Sequence, residues 1–215
     1  MESGTVSHAP VGGFPIATSM TPDSKTAYLS NFLGMSISCV SLAEDACATG
    51  DGGVAENVEI DLWENYDPLT GPTGPWGGLT IQLPVSPDGK ALLAANTLSQ
   101  TVSVIDPTTN KVIKDLPCNA GCHGANFGAK QGGGYYAYVS NKFSNAAQII
   151  DVDPNGDGDI SDARSPGSSC SARPPTPRPT TSSSRTRAWA ARASWRSRSS
   201  TTAGRRRCPR DGGRS

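Results

Sequence analysis

Apolar and polar positions alternate in short runs along the first three quarters of the chain, and no window sustains a helical period. The stretch "TVSVIDPTTNKVIKDLP", residues 101–117, shows the pattern most plainly. "TVSVID" and "KVIKDLP" alternate as half-buried strands do. The "PTTN" between them carries turn-forming residues, so the pair predicts a hairpin. Gly-rich and Pro-bearing turns separate other runs of β-branched and aromatic residues. The pattern predicts an all-β chain.

Stacking the segments exposes a repeat. "TPDSKTAYLSNFLGMSISCVSL" (21–42), "SPDGKALLAANTLSQTVSVIDP" (86–107) and "QGGGYYAYVSNKFSNAAQIIDVDP" (131–154) share one order. A polar or Gly turn leads into a strand ending in Asn31, Asn96 or Asn141. A short loop and a second strand follow, with Val40, Ile105 or Ile150 nine residues beyond the Asn. Asp23 and Asp88 stand eight residues before the first two Asn. The second and third units lie 45 residues apart and the first and second 65, which places an insertion at about 43–79.

"YLSN", "LAAN" and "YVSN", with "SPDGK" upstream and "VSVIDPTTNKVI" downstream, resemble the YVTN family of β-propeller repeats over roughly residues 10–155. The resemblance implies four-stranded blades set radially, usually seven in a complete domain. It also implies a distant likeness to surface-layer proteins and to the propeller of nitrous-oxide reductase. About three blades are present, so the expected architecture is a partial β-propeller at 1–162. An open array leaves unpaired edges and an uncovered apolar face. The missing blades of a larger parent are therefore the first expected partners, and an unknown protein or surface ligand the next. The recurring Asn residues read as turn formers, because tight turns need residues that tolerate left-handed backbone or bond their own main chain, and Asn does this.

Charge divides the chain sharply. The net charge of zero sums two opposite parts. Residues 1–162 hold 6 Lys, no Arg and 18 acids, a net of −12; residues 163–215 hold 13 Arg, no Lys and one acid, a net of +12. The Arg/Ser/Pro-rich tail at 163–215 cannot bury enough apolar surface to fold, so disorder is expected. The complete switch from Lys to Arg is explained best by a shifted reading frame in a GC-rich gene. A genuine basic arm is the other explanation, and it would contact nucleic acid through phosphates. Nucleic-acid binding ranks third among the functional readings. No transmembrane run occurs, and "MESGTVSHAPVGG" carries no apolar signal segment.

Across the join lies the most specific chemical pattern. From Asp153 the chain reads D-P-N-G-D-G-D-I-S-D-A-R. A calcium loop of EF-hand or dockerin type wants oxygens at positions 1, 3 and 5, Gly at 6, a backbone carbonyl at 7 and an apolar residue at 8. Asp153, Asn155, Asp157, Gly158, Asp159 and Ile160 fill those places, and Ser161 fits position 9. Position 12 should be Glu and is Arg164. A second register, from Asp151, puts Asp162 at position 12 but Gly158 at the apolar place. Hard oxygens at this spacing suit Ca²⁺ over a softer metal.

"LPCNAGCHG" (116–124) admits three readings. It exceeds the haem-attachment spacing by one residue. Cys118, Cys122 and His123 are chemically suited to a transition metal, and the likeness to nitrous-oxide reductase points to copper. The third and favoured reading is a Cys118–Cys122 disulfide, with "HG" opening the next inner strand. Cys39 and Cys47 are expected to pair likewise. Two local bridges imply an oxidising compartment: extracellular, periplasmic or cell-surface. Cys170 and Cys208 belong to the suspect tail. Trp63 and Trp76, in the insertion, are expected to pack or, less favoured, to form a binding surface. With only His8 and His123, no Ser/His/Asp set can be assembled, and no phosphate-binding Gly-Lys loop or nucleophile elbow occurs. The sequence thus assigns no catalytic residue. It points to a non-catalytic propeller for binding or assembly with a Ca²⁺-type loop, and alternatively to the propeller portion of a copper-dependent oxidoreductase.

Overall fold

Each alternating run becomes an antiparallel strand, and the runs collect into three sheets in chain order. The computed structural model describes residues 8–43, 46–47, 57–64, 66–67, 69–70, 77–166 and 170–171. The first sheet holds β1 (Pro15–Met20), β2 (Thr26–Asn31), β3 (Ser36–Ser41) and β4 (Asn57–Asp61), side by side in that order. The second holds β5 (Leu92–Asn96), β6 (Thr101–Asp106) and β7 (Lys111–Pro117). Residues 78–86 run along β5 as an irregular inner strand, with bridges Thr80–Asn96 and Val85–Leu92. The third holds β8 (Cys122–Ala129), β9 (Tyr135–Asn141), β10 (Ala146–Asp151) and the two-residue β11 (Cys170–Ser171). This is a partial β-propeller of three blades, with no α-helix among the described residues.

The central hairpins share one register. Asn31 faces Ser36 and Ala27 faces Val40; Asn96 faces Thr101 and Leu92 faces Ile105; Asn141 faces Ala146 and Ala137 faces Ile150. Each hairpin loop ends on a left-handed residue: Met35 (φ 47°), Gln100 (φ 57°) or Asn145 (φ 50°). The repeat Asn residues themselves do not take the left-handed conformation. They end their strands and reach across the hairpin. Asn31 Nδ2 donates to Ser36 Oγ and Ser38 Oγ, both at 2.9 Å. Asn96 Nδ2 donates to Thr101 Oγ1 (3.2 Å) and Ser103 Oγ (2.9 Å), and its Oδ1 accepts from Thr80 Oγ1 (2.7 Å). In the third blade Ala146 and Gln148 replace those hydroxyls, and Asn141 Nδ2 turns to the Val139 carbonyl at 3.4 Å.

The strand-entry turns match as well. Thr21 Oγ1 and the Lys25 amide donate to Asp23 Oδ1 at 2.6 and 3.1 Å. Ser86 Oγ and the Lys90 amide do the same to Asp88 Oδ1 at 2.6 and 3.3 Å. Ser24 (φ 60°) takes the backbone conformation that Gly89 (φ 75°) takes in the second turn.

The apolar core lies between blades. Tyr28, Ile37, Cys39 and Ile60 of the first sheet pack against Leu83, Leu92, Ala94 and Ile105 of the second. Leu93, Ala95, Val102 and Val104 turn the other way, onto Ala125, Ala137, Val139 and Ile150 of the third. Within this frame Asp115 on β7 stands opposite Ser103. Its Oδ1 is buried and accepts no hydrogen bond among the described residues. Burial raises its pKa, and the Ser103 hydroxyl lowers it only in part.

Residues 163–166 remain with the third blade, beyond the charge boundary at 162. Cys170–Ser171 of β11, also in the expected tail, pair with β10; the remaining tail residues, Trp76 and much of the 43–79 insertion lie outside the described residues.

A raised carboxylate pKa means that folding favours the protonated acid, so the native chain loses stability as pH rises through that range. Asp115→Asn is expected to change little in acid and to become progressively stabilising towards neutral pH. Calorimetric Tm values for both proteins across that range check this; a difference independent of pH would contradict it.

Candidate functional site: the acidic loop of the third blade

β10 ends at Asp151, and the chain returns to the same point at Arg164. The Asp151 amide donates to the Arg164 carbonyl at 2.8 Å, and the Arg164 amide to the Asp151 carbonyl at 2.9 Å. Residues 152–163 are thus a loop clipped shut at its base. Val152, Ile160 and Ala163 anchor it in the core between the second and third blades. Ile160, the apolar position of the expected calcium loop, opens a short 3-10 turn (Ile160–Asp162) that Asp159 caps.

Above this anchor the acidic side chains line up on the loop's own amides. Asp153 accepts from Gly156 N through Oδ1 (2.7 Å) and from Gly158 N through Oδ2 (2.9 Å). Asn155 Oδ1 accepts from Asp157 N (3.1 Å), and Asp157 Oδ1 from Asp159 N (2.8 Å). Gly156 (φ 78°) and Gly158 (φ 88°) supply the left-handed turns that this spacing requires. The Ser161 amide and hydroxyl hold the Asp159 carboxyl below the ordinary carboxylate range. All of Asp153, Asn155, Asp157, Asp159 and Ser161 therefore belong to one hydrogen-bonded arc. Among the described residues, no three His, Cys, Asp or Glu side chains form a ready-made metal cage. One acidic oxygen of this loop is left over: Asp162 Oδ1 is buried and accepts no hydrogen bond among the described residues.

Two lysines hold the loop's ends. Lys130 Nζ donates to Asp151 Oδ1 and Oδ2 at 3.0 and 2.8 Å, and to the Asp153 carbonyl at 3.3 Å. The Asp151 hydrogen bond raises the Lys130 pKa. Lys114 Nζ donates to the Ala163 carbonyl at 3.1 Å. In the sequence these lysines contribute only to a charge count. Lys130 opens the turn between β8 and β9, and only the pairing of β9 with β10 brings Asp151 within reach of its side chain.

The cysteines form the two expected disulfides, Cys39–Cys47 and Cys118–Cys122. The first ties β3 to the segment following it. The second spans the passage from β7 to β8, from one blade to the next. Bonded to each other, Cys118 and Cys122 offer no thiolate to a transition metal, which leaves that alternative with His123 alone at this junction. His123 begins β8 half-buried; burial, then nearby Lys142, lowers its pKa. His8 is exposed ahead of β1. Trp63 packs on the core between the first two blades, with Nε1 donating to the Gly34 carbonyl at 3.2 Å.

No family model and no curated protein matches the chain. Solved structures do. A candidate 6-phosphogluconolactonase of Bacteroides fragilis superposes with a TM-score of 0.52 at 20% identity, over 74% of this chain and 40% of that one. A candidate 6-phosphogluconolactonase of Bacteroides uniformis gives 0.51 at 17% identity, over 76% and 42%. The periplasmic gluconolactonase of Pseudomonas aeruginosa gives 0.50 at 19% identity, over 75% and 41%. At this identity the likeness carries the propeller fold and not an activity. The chain spans about two fifths of the length of these structures.

Closing a short loop in the unfolded chain is worth about 2.5 kcal/mol for a separation like that of Cys39 and Cys47. Cys39→Ser/Cys47→Ser should therefore lose stability of that order in urea. The unreduced native protein should show neither thiol in a labelling assay; labelling of either would contradict the pairing.

Proposed function

We propose that this chain is a non-catalytic propeller segment of the YVTN repeat type, working outside the reducing cytoplasm, whose loop at 151–164 binds Ca²⁺. The shared register of the three central hairpins and their paired strand-entry turns support the repeat assignment. Two disulfides support the compartment. The propeller presents loops for binding or assembly, to an unknown protein or surface ligand.

One observation carries the calcium reading. The buried, unpartnered Asp162 oxygen sits in a loop already bearing hard oxygens at positions 1, 3, 5, 7 and 9 of the calcium pattern. An unpaired buried carboxylate oxygen is costly and calls for a cation or a donor. Lys130 and Lys114 bond backbone carbonyls of the loop, not the side chains of Asp153, Asp157 or Asp159, which a cation would compete for only with the loop's own amides, the Asn155 amide and the Ser161 hydroxyl. A bound cation would relieve their mutual repulsion and hold the arc rigid. Asp153, Asn155, Asp157, Asp159 and Ser161 would hold it, with Asp162 as a further acidic donor. Arg164 takes the place of the usual twelfth ligand and opposes a cation by its charge.

Calorimetric titration of the full chain with CaCl₂ tests this. Binding is expected, weakened by Asp157→Asn or Asp162→Asn, and strengthened at least about tenfold, or 1.4 kcal/mol, by Arg164→Glu. Absence of heat in the native chain and in Arg164→Glu alike would sink the site.

A further inference from the structure

The internal junctions give a template for judging the two outer faces of the blade array. Tyr28, Leu93 and Tyr138 occupy one register position, three residues before the repeat Asn. Cys39, Val104 and Ile149 occupy another, eight residues after it. Tyr28, Leu93, Cys39 and Val104 are fully buried against the next blade, whereas Tyr138 is 45% and Ile149 39% exposed. On the opposite face, Leu29, Ala94 and Val139 share a position, as do Val40, Ile105 and Ile150. The second- and third-blade members of both sets are fully buried against the preceding blade. Leu29 and Val40 are only half-buried, and Met20, paired in the same row through Ala27, is 50% exposed.

Scattered exposed apolar residues are ordinary on a protein surface. These are not scattered. They stand at the register positions that every internal junction buries, and they form two different half-interfaces. The first blade exposes the face that receives a preceding blade. The third exposes the face that a following blade covers. One chain therefore carries both halves of a junction it makes twice internally.

We infer that a second copy of this chain docks head to tail, its first-blade face on the third-blade face of its neighbour. The contact repeats the packing of the first blade on the second and of the second on the third. Such an interface is heterologous: the two surfaces differ, so single-face damage can be complemented in trans.

The experiment uses the full chain. Sedimentation velocity across a concentration series is expected to show self-association. Met20→Asp damages the first-blade face, and Tyr138→Asp/Ile149→Asp the third-blade face. Each variant alone should sediment as a monomer, and an equimolar mixture should give a 1:1 complex through the one intact pair of faces. Far-UV circular dichroism checks folding, and Met20→Gln with Ile149→Gln repeats the test with milder changes. A native chain that stays monomeric overturns the inference. So do variants that associate as the native chain does, or a mixture that forms no complex.

Discussion

Face-to-face burial between neighbouring sheets is the constraint on which the molecule depends. No single blade encloses a core; each exposes one apolar face forward and one backward. Fully burying a Leu or Ile side chain is worth roughly 1.5–3 kcal/mol, and two junctions bury many of them. The cross-hairpin bonds of Asn31 and Asn96 add about 1 kcal/mol each by comparison. They fix register more than they supply stability. Register matters because a slip of one residue would turn every core side chain to the wrong face.

The same junctions position the acidic loop. Ile160 and Ala163 dock between the second and third blades, so the loop is fixed by core packing as well as by the bridge at Asp151 and Arg164. Backbone amides and the Ser161 hydroxyl hold the aspartates above that anchor, and Lys130 and Lys114 secure its ends. The arrangement keeps closely spaced like charges in one place without pairing each with a lysine. A hard cation would complete such an arc more effectively than amides alone, because it concentrates positive charge among the oxygens.

The disulfides fit the same division of labour. Cys118–Cys122 lies where the chain leaves one blade and enters the next, and Cys39–Cys47 pins the segment leaving β3. Cys118 and Cys122, which the sequence left open to a transition metal, are bonded to each other, and His123 stands half-buried at the head of β8.

The sequence alone determined the all-β class and the hairpins, and it favoured the two cysteine pairs that the structure forms. Alternation, turn residues and short spacings are local, and local geometry dictates them. It also determined the order of loop oxygens from Asp153 to Ser161, since they stand in consecutive residues of one segment. Tertiary structure alone decided the role of the repeat Asn residues: Asn31 and Asn96 bond hydroxyls on the next strand and Asn141 a carbonyl of its own strand, while Met35, Gln100 and Asn145 take the left-handed turns. It alone joined Lys130 to Asp151 and brought Arg164 back to β10. It also showed which faces lack a neighbour. Those facts rest on contacts between segments distant in the chain, and a linear pattern of polarity records that a position is apolar without recording what covers it.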